Sequence, residues 1–142
     1  MADFRGMRCV LQAVVIMGFL TSCVSWVHAQ TRVIELTADK DSRYKIAGMR
    51  VPEITVRAGE QFVLHVTANR GKSWNRDGSI HGFTLLRVKN RSKVEGWDLL
   101  FKPGKQEFLM TAPREPGEYI AVCTVICSEE HEGMHLKFTV LP

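Results

Sequence analysis

The sequence lacks an apolar run long enough to cross a bilayer. A membrane-spanning helix needs about 20 consecutive apolar residues, and the mainly apolar stretch from Val10 to Leu20 is shorter than that. Helical heptads, internal repeats and low-complexity tracts are also lacking. With 142 residues, of which 45% are hydrophobic and 24% charged, the chain is expected to form one globular domain around a single core.

The first thirty residues are typical of a cleavable secretory leader. Arg5 and Arg8 precede the apolar stretch, and small residues follow it. Val27-His28-Ala29 fits the rule for signal peptidase and predicts a signal peptide over 1–29, whereas Leu20-Thr21-Ser22-Cys23 resembles a lipobox, in which the cysteine is lipidated. We therefore expect a periplasmic or exported protein that is either released or lipid-anchored to a membrane, with the lipid as its only membrane attachment.

Cysteine is scarce, and this excludes a framework of several disulfides. Cys9 and Cys23 belong to the leader, so a cut after Ala29 leaves only Cys123 and Cys127 in a mature domain over 30–142. One structural disulfide is the simplest interpretation of two cysteines in an exported protein. A histidine and a methionine follow these cysteines at ligand spacing, which favours a metal site instead.

Neither sign of charge strongly predominates, since the formal net charge is only +4. Basic residues at positions 87, 89, 91 and 93 alternate along a predicted strand, where they would form one exposed face that discourages aggregation. No interleaved aromatic residues and no groove-reading helix accompany them, so no nucleic-acid partner is predicted.

Turn residues divide the mature sequence into short strands. Ala58-Gly59-Glu60, Lys102-Pro103-Gly104-Lys105 and Glu115-Pro116-Gly117 each place glycine or proline at a reversal. Alternating apolar residues give several strands one buried face, and short strands at near-regular spacing predict an all-β sandwich with Greek-key connections. The predicted strands are Arg32–Thr37, Ile54–Arg57, Gln61–Thr67, His81–Val88, Trp97–Phe101, Gln106–Thr111, Glu118–Cys123 and Leu136–Leu141.

Four soft ligands lie close together just before the last predicted strand, in the pattern Cys123-x3-Cys127-x3-His131-x2-Met134. Thiolate and thioether sulfur favour Cu(I), and imidazole stabilises both copper oxidation states, so the set suits a metal that cycles by one electron. A site for one copper ion needs only one cysteine. Two sulfur atoms on one tight loop can bridge two ions, and the spacing therefore predicts a binuclear centre.

Each bridged copper ion needs a terminal ligand, and the loop supplies only His131. We predict His81 as the second terminal ligand because it starts a strand directly after the long loop 69–80. His65 and His135 alternate with apolar neighbours and are expected to face solvent. The position of Met134 after His131 favours an axial ligand over a methionine that merely fills the core.

These residues resemble the copper-A (CuA) domain of cytochrome c oxidase subunit II, also found in nitrous oxide reductase, within the cupredoxin superfamily. The shared features are the histidine at a strand start, the turn Pro116–Tyr119, and the loop of two cysteines, histidine and methionine. The resemblance covers most of the mature chain. It implies a cupredoxin-like Greek-key β-sandwich that binds two copper ions.

The resemblance also implies a role for each ligand. Cys123 and Cys127 would bridge the two ions, and His81 and His131 would each bind one of them. Two weak axial ligands complete the implied set, namely the Met134 sulfur and the backbone carbonyl of Val125.

Two departures separate the sequence from subunit II. Val125 stands where subunit II has a glutamate whose side chain helps to bind magnesium at the interface with subunit I. The transmembrane hairpin that precedes the copper domain of subunit II is not found in this sequence. We therefore expect a free-standing or lipid-tethered protein that does not dock in an oxidase in the usual form.

The function expected from these features is electron transfer, not catalysis. The protein would relay single electrons in the periplasm, either alone or as an accessory subunit of a respiratory oxidase or reductase. Its redox partner would be a protein such as a c-type cytochrome or a terminal oxidase or reductase. Glu129, Glu130 and Glu132 surround His131 and predict a positively charged partner. The alternative is a periplasmic copper carrier or chaperone that binds copper through the same residues.

Overall fold

The computed structural model describes residues 31–72, 75–128 and 131–142, and for His131 it describes the backbone only. Both cleavage-site predictions and two of the three loop glutamates lie outside the described residues. The described chain consists of strands, their connections and a short 3-10 helix at His131–Gly133. The strands are β1 Arg32–Asp39, β2 Arg43–Lys45, β3 Glu53–Arg57, β4 Gln61–Ala68, β5 His81–Arg87, β6 Lys93–Phe101, β7 Gly104–Thr111, β8 Gly117–Val122 and β9 His135–Leu141.

The strands form two sheets packed face to face. One sheet has the order β2-β1-β4-β7, and the other has the order β3-β9-β8-β5-β6. The pairs β1–β4 and β3–β9 are parallel, and the remaining pairs are antiparallel. The predicted all-β sandwich is therefore confirmed. Within the described residues, no helix has both the length and the apolar character that a membrane crossing requires.

Alternation along the strands builds a core shared by both sheets. In β4, Phe62, Leu64 and Val66 are buried, whereas the residues between them are half-buried on the outer face. Trp97 of β6 joins the two sheets, because its ring centroid lies 6.1 Å from that of Phe62 and its Nε1 donates to the Thr111 carbonyl of β7 at 3.2 Å. Aromatic packing and this part-buried hydrogen bond therefore help to hold the two sheets together.

The segment with alternating basic residues, predicted as one strand, contains a turn in the structure. The basic residues from Arg87 to Lys93 do not share a strand, because β5 ends at Arg87 and β6 begins at Lys93. Between them, Arg91 has a φ of 61° and the Asn90 side chain accepts a hydrogen bond from the Ser92 amide at 3.1 Å. Asparagine side chains commonly stabilise turns in this way. The prediction of a continuous basic strand face is therefore wrong.

One end of the second sheet brings His81 close to the two cysteines. The antiparallel pairing of β5 with β8 places the first residues of β5 beside the last residues of β8. Val122, at the end of β8, pairs with His135, at the start of β9. The segment 123–134 therefore leaves and re-enters the sheet next to His81, although His81 lies far from it in sequence.

Candidate metal centre

The two cysteines lie side by side in the loop after β8. Their Sγ atoms are 3.6 Å apart, and both residues are buried, with exposed fractions of 7% for Cys123 and 2% for Cys127. This separation exceeds the length of about 2.05 Å of a disulfide bond, and both residues are free thiols. The Cys123 amide donates to the Met134 carbonyl at 3.1 Å, which ties the two ends of the loop together.

His81 is the third member of this cluster. A ring nitrogen of His81 and the two sulfur atoms all lie within 4.8 Å of one another. The imidazole is buried, and its Nε2 lies 3.0 Å from the Asn69 carbonyl oxygen. Because a carbonyl can only accept, Nε2 carries the proton in this hydrogen bond.

The other ring nitrogen of His81 has no hydrogen-bond partner among the described residues, although it is buried. A buried polar atom without a partner is costly, so it calls for an explanation. Metal-binding histidines typically donate one ring N–H to a carbonyl and use the other nitrogen as a ligand. The orphaned Nδ1 of His81 therefore fits a metal ligand.

Burial and hydrogen bonding give the two thiols different proton affinities. The hydrogen bond with Cys123, helped by the nearby His81 ring and Ser42 hydroxyl, lowers the pKa of Cys127. The same hydrogen bond, together with burial, raises the pKa of Cys123 well above that of an ordinary thiol. Binding a metal through both sulfurs requires both to be thiolates, so metal binding must release the protons that the pair holds.

Two backbone groups reach the Cys123 sulfur. The Gly82 amide donates to Cys123 Sγ at 3.3 Å, and the Val125 carbonyl oxygen lies 3.2 Å from the same sulfur. At Gly82 an added Cβ would lie 3.0 Å from Thr124 Oγ1, 3.1 Å from Val125 Cγ2 and 3.2 Å from the Thr124 amide nitrogen. Only glycine lets the β5 backbone approach the loop this closely.

Of the two other side chains predicted as ligands, the structure describes that of Met134 but not that of His131. Met134, which follows the 3-10 helix and precedes β9 in sequence, is buried. His131 begins the 3-10 helix, and its side chain lies outside the described atoms, so its role stays a prediction. His65 and His135 are not among the residues gathered at the cysteines, as alternation along their strands predicts.

Sequence reasoning missed three groups that surround the cluster. Asn69 acts through its backbone carbonyl, Tyr44 donates its hydroxyl to the Gly82 carbonyl, and the Ser42 hydroxyl lies 3.8 Å from Cys127 Sγ. All three precede β5 and are distant from the cysteines in sequence. No local motif marks them, because each contact arises only when the two sheets pack together.

The fold and the cluster can be set beside known proteins. No family model matches the sequence, and no curated protein matches it. The structure is similar to a chain of a heme-copper terminal oxidase dimer, with a TM-score of 0.54 and 18% identity, over 81% of this chain and 68% of that chain. It is also similar to auracyanin A, a blue copper protein from the green thermophilic photosynthetic bacterium Chloroflexus aurantiacus. That similarity has a TM-score of 0.53 and 18% identity, over 79% of this chain and 100% of that chain.

A laccase from Pediococcus acidilactici shares the same architecture over part of its length. The TM-score is 0.51 at 16% identity, and the match covers 82% of this chain but only 28% of the laccase chain. At such low identities these similarities concern the fold. The fold is that of a cupredoxin-like β-sandwich, as predicted from the sequence.

Proposed function

We propose that this protein is a copper-binding electron carrier with a binuclear CuA-type centre, which relays single electrons in the periplasm in a released or lipid-anchored form. The observation that carries the proposal is the pair of buried cysteine sulfurs 3.6 Å apart. One copper ion requires one thiolate. A second thiol at this distance, beside an orphaned imidazole nitrogen, is best explained by sulfur atoms that bridge two ions.

The proposed ligand set follows from the cluster and from the spacing of the loop. Cys123 and Cys127 would supply the two thiolates of the centre, and His81 Nδ1 and His131 would each supply an imidazole nitrogen. The Met134 sulfur and the Val125 backbone carbonyl would supply two further, weaker donor atoms. The position of the Val125 oxygen, 3.2 Å from Cys123 Sγ, supports the second of these assignments.

A bound copper pair supplies a one-electron redox couple. The task of the protein is to keep the donor atoms fixed while the charge changes, because rigid ligands limit reorganisation. Tyr44 anchors the Gly82 carbonyl, and Thr84 Oγ1 lies 2.8 Å from Thr124 Oγ1, which connects β5 to the loop beside Cys123. Thr84 also donates to Asp98 of β6, so the loop is fastened to two strands.

The surface of the loop fits a docking role. Ile126 is 68% exposed although its neighbours Val125 and Cys127 are buried. An exposed apolar side chain next in sequence to a buried cysteine of the cluster offers a partner a dry contact on the same loop. We propose that the partner is a redox protein such as a c-type cytochrome or a terminal oxidase or reductase, and that the chain itself is a carrier or accessory subunit, not an enzyme.

Metal stoichiometry tests this function directly. Copper reconstitution of the mature protein should give two copper ions per chain and a purple centre. Its paramagnetic resonance spectrum should show one electron shared by two copper nuclei. Cys127→Ser should bind at most one copper ion and lose the shared-electron pattern, whereas His65→Gln, which lies outside the cluster, should retain both. One copper ion per wild-type chain, or a colourless Cu(I) form inert to oxidation, would instead indicate a copper carrier.

A further inference from the structure

Ser42 brings a side-chain hydroxyl to the cysteine cluster from the turn between β1 and β2. Its Oγ lies 2.6 Å from Ser128 Oγ and 3.8 Å from Cys127 Sγ. The residue is only 4% exposed, although it belongs to a turn. A serine buried in a turn, with its hydroxyl against a thiol, is an unusual use of a surface residue type.

The backbone of Ser42 shows that the turn itself does not require serine. Ser42 has a φ of 57°, in the left-handed region, and its amide donates to the Asp39 carbonyl at 3.0 Å. Glycine and asparagine adopt this conformation at lower cost than serine. The conformation is therefore unfavourable for serine, and what serine adds at this position is the hydroxyl that points toward Cys127.

The protons of the two hydroxyls can be assigned once both cysteines are thiolates. A thiolate only accepts hydrogen bonds, so a proton between Ser42 and Cys127 must come from Ser42. Ser128 Oγ–H can donate to Ser42 Oγ across the 2.6 Å contact, which leaves the Ser42 proton free to point at the sulfur. In this arrangement Ser128 donates to Ser42, and Ser42 donates to Cys127.

Each of the two sulfur atoms thus has its own donor. Cys123 Sγ receives the backbone amide of Gly82 at 3.3 Å, and Cys127 Sγ faces the side-chain hydroxyl of Ser42. A hydrogen bond to a thiolate withdraws electron density that the sulfur would otherwise donate to a metal. It therefore stabilises the reduced, more electron-rich state of a bound centre.

We infer that Ser42 is a positioning residue that tunes the reduction potential of the metal centre by donating its hydroxyl proton to the Cys127 thiolate. The inference rests on the proposed function, because it concerns the electron affinity of copper bound by these cysteines. It assigns the tuning to a residue 85 positions away from Cys127 in sequence.

Ser42→Gly is the decisive variant because glycine suits the positive φ and removes the whole CH2OH side chain, including the hydroxyl. We expect the copper-loaded variant to bind its electron about tenfold less tightly, which corresponds to a potential about 59 mV lower. The sulfur-to-copper absorption bands should shift as well. Ser128→Ala should change the potential in the same direction by less, and Ser92→Ala, which removes a hydroxyl bonded to Asn90 at a distant turn, should leave it unchanged.

The thermal midpoint of the apo protein separates tuning from folding. Ser42→Gly should unfold at a temperature no lower than the wild type, so a changed potential cannot come from a damaged turn. An unchanged potential and unchanged bands in Ser42→Gly would overturn the inference.

If wild-type protein bound no copper, the proposed function would fail on stoichiometry. The role of Ser42 would then be decided by the same comparison with cobalt(II), whose thiolate bands report the same hydrogen bond.

Discussion

At the scale of single residues, the proposed centre depends on groups that hold the candidate ligands in place. His81 is oriented by the Asn69 carbonyl, which accepts a hydrogen bond from Nε2–H. This leaves the lone pair of Nδ1 available to a metal ion. Gly82 performs two tasks, since its amide reaches Cys123 and its lack of a side chain makes room for the loop. The residue type at position 82 could be anticipated as a point of close approach, whereas the Asn69 carbonyl could not.

Gly82→Ala should lower both stability and copper affinity. The added methyl would meet Thr124 Oγ1 at 3.0 Å and the Thr124 backbone nitrogen at 3.2 Å, so the loop must shift. Overpacking of this kind costs about 1–3 kcal/mol in the free energy of unfolding. Chemical denaturation of the apo protein and copper titration measure the two effects.

Gly133→Ala is the matched control for this prediction. A Cβ at Gly133 would meet nothing within 4 Å, although the residue belongs to the same loop. We expect its unfolding free energy to stay within about 0.5 kcal/mol of the wild type. Equal losses in both variants would show that the loop does not tolerate any methyl group, and that close approach at Gly82 is not the cause.

At the scale of elements, the outer face of the first sheet carries a charge cluster across three strands. The register places His65 of β4 beside Glu35 of β1 and Glu107 of β7. His65 Nδ1 lies 2.8 Å from Glu35 and Nε2 lies 3.0 Å from Glu107, so both ring nitrogens donate when the ring is charged. The hydrogen bond to Glu35, with that to Glu107, raises the pKa of His65.

This cluster should make the stability of the apo protein depend on pH. The unfolded histidine has a pKa of about 6.5, and the folded pKa is higher, so the contribution of His65 is fully present below the unfolded value. It is lost as the pH rises through the folded pKa. The difference in thermal midpoint between wild type and His65→Gln should therefore shrink as the pH is raised from about 6 to about 9.

His135→Gln provides the comparison, because among the described residues His135 forms no ion pair. Its effect on the midpoint should be small and should not follow the pH dependence of His65→Gln. A difference between wild type and His65→Gln that grows with rising pH would contradict the assignment of a charged ring between two carboxylates.

Element prediction succeeded where alternation was strong and failed where a turn intervened. The strands with clear alternation, such as β4 and β9, appear within one or two residues of their predicted bounds. β2, only three residues long, has no room for a periodic signal. The failure at 88–92 has a different cause, since alternating charge continued through a turn that Asn90 and Arg91 form.

At the scale of the whole molecule, charges of both signs flank the ligand loop. Glu132 is exposed at the 3-10 helix, and it is the one described member of the acidic cluster read from the sequence. A groove beside Gly133 is lined by basic side chains, among them Arg43, Arg50 and Lys137. A partner that approaches the loop therefore meets a negative side and a positive side.

We predict that the acidic side guides a positively charged redox partner. Glu132→Lys should slow electron transfer with a basic c-type cytochrome several-fold at low ionic strength and should flatten its salt dependence, because opposite charges accelerate encounter and salt screens them. Stopped-flow kinetics over a range of salt concentrations measures both.

Arg50→Glu is the matched charge-reversal variant, because Arg50 lines the basic groove beside the loop. It should leave the rate with the same cytochrome unchanged or raise it slightly through the change in net charge. A larger effect at Arg50 than at Glu132 would place the contact on the basic groove and would call for an acidic partner instead. A rate that does not respond to salt in any of the three proteins would exclude charge guidance.

The sequence by itself determined the type of fold and the set of candidate ligands. Ligand identity and spacing within one loop are local properties, and alternation fixes which face of each strand is buried, so both can be read along the chain. The tertiary structure placed His81, a ligand predicted from the sequence, beside the cysteines, and it alone decided which of its nitrogens is free and that Ser42 reaches Cys127. These contacts join segments far apart in sequence, and they exist only because two sheets pack with one register and bring the end of β8, the start of β5 and the β1–β2 turn to the same place.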